Sequence, residues 1–97
     1  MLWTPVYHTG ALMTLRLASD PTGVLPVFST PYGCEAWIAE MGWQGYSVSP
    51  PMWPVRLKRV IQAARRSGMM GFTLDPSGPR AEVAPLDNLL AQVEAKL

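Results

Sequence analysis

One cysteine and one histidine are the whole of this chain's thiol and imidazole chemistry, and the shortage excludes much. Cys34 has no partner for an internal disulfide, so a reducing compartment is the simplest setting and the cytoplasm the expected location. With His8 alone beside it, a tetrahedral His/Cys zinc site cannot be assembled within one chain. The seven acidic residues are scattered, and neither a metal nor a cofactor is expected. Charged residues make up only 15% of the sequence, below the usual quarter or so. A net charge of +1 argues against a dedicated nucleic-acid or membrane-surface binder. No apolar run approaches the ~20 residues of a membrane-spanning helix, and Met1-Leu2-Trp3-Thr4-Pro5 lacks the basic start of a signal peptide. Also missing are a Gly-x-Ser-x-Gly elbow, a phosphate loop and a dinucleotide fingerprint.

What is abundant is apolar. Hydrophobic residues account for 48% of 97 positions, enough for one domain over residues 1–97 that removes roughly two-thirds of its unfolded surface from water. So few charges leave either a generous core or some apolar surface for a partner.

The order of segments predicts an α/β (α+β) domain. Extended runs flank His8-Thr9-Gly10, a turn. Leu12, Thr14, Arg16 and Ala18 alternate with Met13, Leu15 and Leu17, the period-two pattern of a strand. Asp20-Pro21-Thr22-Gly23 reads as a second turn. Residues 24–29 make a third strand, in which Pro26 removes a ladder donor and favours an edge or bulged position. Ser29 or Thr30 then caps a helix with Pro31 at its first position. Cys34, Trp37, Ile38 and Met41 form its apolar face, and Gly42 stops it. Residues 45–49 are a short strand. Pro54 opens a second helix with a Leu57, Val60, Ile61 and Ala64 stripe, ended by Gly68. Residues 71–74 are an interior strand, and Asp75-Pro76-Ser77-Gly78-Pro79-Arg80 is a turn. Pro85 starts a last helix with Leu86, Leu89, Leu90, Val93 and Leu97 on one face. The expected sheet is mixed, with about five strands beginning in an antiparallel meander, packed by three amphipathic helices.

Few residues offer chemistry. Cys34 and His8 could be drawn as nucleophile and base, but Cys34 lies on the apolar stripe, where a buried cysteine acts as a small hydrophobe. Asp75 is tempting, yet Asp-Pro-Ser-Gly is turn chemistry, with Asp bonding its own backbone. No catalytic residue is assigned, and no enzymatic activity is expected. The one charge cluster is on helix 54–67, where Arg56, Lys58, Arg59, Arg65 and Arg66 supply five of the chain's eight basic residues with no acid between them. They form a candidate anion or nucleic-acid contact. The simpler reading is a solvated face, with the last two arginines favouring the negative helix end. Four tryptophans are many for this length. Trp37 is core, whereas Trp43, just past a helix end, and Trp53, between prolines, suit partly exposed anchors. Met52 and the Met69-Met70 pair would add adaptable apolar surface.

Val24-Leu25-Pro26-Val27-Phe28-Ser29-Thr30-Pro31, then Ala36-Trp37 on a helix, then Gly71-Phe72-Thr73-Leu74-Asp75-Pro76-Ser77-Gly78, resemble the SseB-like domain, the N-terminal domain of enhanced-serine-sensitivity proteins. The order and spacing match over about residues 12–90. Ser29-Thr30 stands where that family has Thr-Ser, and Asp75 where it has Asn. The resemblance implies a bacterial, non-catalytic α/β module, whose members occur alone or fused to other domains and in some cases accompany secretion or toxin systems. The expected role is therefore an accessory, regulatory or immunity protein acting through a protein interface of Trp43, Met52, Trp53, Arg56 and Arg59. Its partner is another protein or a second copy in a homodimer, and no membrane is involved. The alternative is an anion or nucleic-acid binder using the basic helix.

Overall fold

The computed structural model describes residues 1–17, 20–77 and 82–97. The elements run β1 (Pro5–Tyr7), β2 (Leu15–Leu17), β3 (Asp20–Val27), α1 (Pro31–Met41), β4 (Tyr46–Val48), α2 (Pro54–Arg66), β5 (Met69–Leu74), β6 (Ala84–Pro85) and α3 (Leu86–Glu94). This is the expected α+β domain with three helices. The strands, however, divide into two sheets. A mixed sheet has the order β2-β3-β5-β6, and β1 pairs separately with β4. The opening meander is therefore only partial. β2 and β3 are antiparallel, but β1 leaves them for β4 and touches the next segment through a single bridge, Val6 to Leu12.

β3 is the axis of the fold because both its faces are apolar. Leu25 and Val27 point to one side and join a core with Leu57, Ile61, Leu86 and Leu89. Val24 and Phe28 point to the other and join Met13, Cys34, Trp37 and Ile38. Successive side chains of a strand face opposite ways, so α2 and α3 cover one face of the sheet and α1 the other. β5 lies parallel to β3, connected through α1, β4 and α2, and is interior as expected, with β6 on its far side.

Two sequence readings around β3 change. Asp20-Pro21-Thr22-Gly23 is not a turn but the start of this strand, with Leu17 paired to Asp20; residues 18 and 19 lie outside the described residues. Pro26 sits in a central strand, beyond the stretch paired to β2. Its carbonyl accepts from Thr4 Oγ1 at 2.7 Å, whereas the neighbouring Val27 carbonyl accepts from Asp75 N–H at 2.8 Å on the β5 side. The missing Pro26 donor thus faces away from β5, and the parallel register runs unbroken from Val24 to Val27.

Local chemistry sets the helix ends. Thr30 Oγ1 accepts from Gly33 N–H at 3.0 Å, and Pro31 occupies the first turn. Gly42 closes α1 with φ 69°, a left-handed cap that costs glycine nothing. Across α2 and α3, Arg65 in the last turn of one helix pairs with Asp87 in the first turn of the other, each charge matching its helix dipole. Two apolar-stripe expectations fail at helix ends. Met41 is exposed, and Leu97, beyond the end of α3, is exposed too. Residues 78–80 of the expected 75–80 turn lie outside the described residues. Its first residue, Asp75, has φ 48° and bonds not its own backbone but Ser29, through both carboxylate oxygens.

Candidate functional site

The sequence candidates fall into three places. Trp53, Arg56 and Arg59 come together on one groove of about 580 Å³, with Val55, Val60 and Leu12 among its walls. Trp43 lines a different cavity. Met52 is not a surface residue at all: it is 1% exposed and packs in the core beneath α2 and α3, tied to the N-terminal segment by its backbone bonds to Leu2. Met69 is likewise buried, and only Met70 of that pair is exposed.

The groove follows from the sequence of α2. Leu57, Ile61 and Ala64 are buried, which turns Arg56, Arg59 and Ala63 outward at helical spacing. Val55 flanks them off the core stripe, and Val60, half-buried against the core, closes the groove edge. Trp53 is the residue before Pro54, in extended backbone with no side-chain cap bond. Freed from capping, its indole stays 60% exposed, and Val55 beside it 58%. The opposite wall is the β1 turn. Gly10 N–H donates to the Tyr7 carbonyl and Tyr7 N–H to the Ala11 carbonyl, which sets Gly10 and Leu12 against α2.

Charge sharpens the picture. Arg65 is held by Asp87, and among the described residues no other α2 cation has an acidic partner. Arg56, Arg59 and Arg66 are exposed and Lys58 is half-buried. The first turn of α2 has no acid; it carries Arg56 at the positive end of the helix dipole, which costs about 0.3–1 kcal/mol. A residue that breaks a local rule without stabilising the fold is where function is to be sought.

Trp43 belongs to a row of rings. Phe28–Trp37, Trp37–Trp43, Trp43–Tyr46, Tyr46–Tyr7 and Tyr7–His8 follow one another with centroids 5.6, 6.4, 6.3, 5.1 and 4.0 Å apart. Gly45 makes part of this possible: its φ is 82°, and a Cβ there would lie 2.6 Å from Tyr7 Cε1. His8 is thus occupied by its neighbour's ring.

Cys34 is fully buried, and burial pushes its thiol up from 9.0 to about 12. A thiol held protonated at neutral pH is a poor nucleophile. Folded protein is expected to resist aromatic disulfide reagents at pH 8 and to react once unfolded; rapid native labelling would contradict this. Because the folded pKa is the higher one, the unfolded state loses this proton first as pH rises. Stability linked to Cys34 is therefore intact below about pH 9 and lost between pH 9 and 12. Denaturation profiles of Cys34→Ala should fall less steeply over that window than those of the parent chain.

The groove residues that sequence reasoning missed are Val55, Val60, Leu12 and Gly10. Val55 carried a signal, since it is apolar yet off the Leu57/Ile61 stripe. Leu12 carried none, because its place against α2 depends on how the β1 turn folds back. Among the described residues no cluster of His, Cys, Asp or Glu could hold a metal ion, and no helix is long and apolar enough to cross a membrane. No protein-family model matches the chain, and no curated protein matches it significantly.

Proposed function

We propose that this chain is a small bacterial protein-interaction domain without enzymatic activity of its own, which engages a partner through the groove of α2. The observation that carries the reading is the convergence of an exposed tryptophan and two arginines, without an acidic partner among the described residues, on apolar walls. Tryptophan and arginine are the residue types enriched at binding hot spots. The resemblance to the SseB-like domain points the same way, toward an accessory, regulatory or immunity role beside a secretion or toxin system. The partner surface is acidic with an apolar anchor. A two-fold homodimer through this groove would bring two basic surfaces together, which like-charge repulsion disfavours.

The test is affinity capture from native lysate with the parent chain and with an Arg56→Glu/Arg59→Glu chain side by side, with sedimentation of the parent alone. Partners retained by the parent and lost by the variant are expected. Capture of the same partners by both, or a strict monomer that retains none, would sink the reading. Anisotropy titrations against DNA and RNA at low salt are expected to be flat, because apolar groove walls suit a protein anchor better than a phosphate backbone. Binding with a steep salt dependence would favour the anion or nucleic-acid alternative instead.

A further inference from the structure

The second cavity, of about 470 Å³, lies at the C-terminal end of α1, on the far side of the sheet from α2, and is built with the opposite charge logic. Ile38 and Val48 supply apolar lining, Trp43 and Tyr46 supply rings, and Glu35 and Gln44 supply polar groups. Among the described residues no lysine, arginine or histidine lines it. Three features favour a cation there. The rings of Trp43 and Tyr46 are inclined at 73° with centroids 6.3 Å apart. An ammonium seated in the angle between them can sit within the ~6 Å at which a ring quadrupole attracts a positive charge. Glu35 adds a carboxylate to the rim. The end of α1 presents the negative pole of its dipole, yet its last turn has no basic residue and carries Glu40, which leaves that potential unanswered.

We propose that this corner binds an alkylated ammonium group. The size of the cavity is that of a small-ligand pocket. The mixture of rings, methyl-bearing side chains and one carboxylate suits a cation whose charge is wrapped in apolar substituents better than a bare metal ion or a strongly hydrated primary amine. The site shares no lining residue with the α2 groove and stands or falls apart from the proposed interface.

The test uses choline as the probe, followed by NMR at the Trp43 indole N–H, with choline's neutral carbon isostere and a trimethyllysine peptide in parallel. Choline is expected to shift the Trp43 and Tyr46 resonances and the neutral isostere to leave them in place. Glu35→Gln should weaken binding about fivefold, the worth of one partly exposed cation contact. Trp43→Leu should abolish it, and because Glu35 is exposed, Glu35→Gln remains interpretable should Trp43→Leu fail to fold. Binding of the peptide alone would keep the site and identify a modified protein tail as the source of the ammonium. Equal binding of the isostere, or no shift with either cation, would overturn the proposal.

Discussion

Asp75→Ala is expected to destabilise the fold by about 2–3 kcal/mol, read as a fall in the denaturant midpoint at unchanged slope. Two causes add. Asp75 has φ 48°, a conformation that costs alanine about 1–2 kcal/mol and that Asp and Asn tolerate. Its carboxylate also accepts from Ser29 N–H at 2.9 Å and from Ser29 Oγ–H at 2.7 Å. The pair is exposed, so the two bonds together are worth only about 1 kcal/mol. For a domain of this size the sum corresponds to a loss of about 10–20 °C in Tm. The variants separate the causes. Asp75→Asn keeps the backbone tolerance and can both accept from Ser29 N–H and bond its hydroxyl, so it should lose less than about 1 kcal/mol. Asp75→Gly restores backbone freedom without the clasp and should fall between the other two. If alanine and glycine proved equal, backbone strain would contribute nothing; if alanine matched the parent, the clasp would be ornamental.

That clasp also shows what a sequence can and cannot reveal. Thr30, Pro31 and Gly42 declare α1 because their chemistry is local: a hydroxyl reaches three residues on, a ring presets φ, a glycine turns left-handed. The stripes of α2 and α3 are legible for the same reason, whereas the burial of β3 on both faces is not, since Pro26 pointed to an edge or bulged strand. Asp75 was legible as a turn residue but not as the partner of Ser29, because that bond spans the parallel β3–β5 pairing and depends on register. Met52 failed in the same way. Beside Trp53 and flanking prolines it looks like surface, but pairing with Leu2 draws it under α2. Asp20-Pro21 looks like a turn by composition, and pairing with β2 overrides composition. Of the candidate groove, α2 supplied what periodicity can show; the opposing wall of Gly10 and Leu12 came from a loop whose position only the tertiary fold decides.

Reversing charge at Arg56 and Arg59 together is expected to weaken partner binding by at least about 100-fold while leaving the fold as stable or more so. The two effects have different signs for a physical reason. Each arginine facing an acidic group across a partly desolvated interface is worth about 2 kcal/mol or more, and a glutamate there adds repulsion to the loss. Within the free chain the opposite holds. Arg56 stands in the first turn of α2, where there is no acid and the dipole favours a negative charge by up to about 1 kcal/mol. Arg56→Glu should therefore raise the melting temperature slightly even as it removes binding. Trp53→Ala should also cost binding, by about 2 kcal/mol or more as a central aromatic anchor, with little change in stability because its indole is mostly exposed. Lys58→Gln, half-buried and outside the groove lining, should change binding much less. Arg65 is the opposite kind of control: paired to Asp87 across α2 and α3, its replacement should lower stability modestly and leave the groove unaltered. A charge reversal that stabilises the helix and abolishes binding would show that Arg56 is retained for a partner at the expense of the fold. A reversal that left binding unchanged would return the basic helix to an ordinary solvated face.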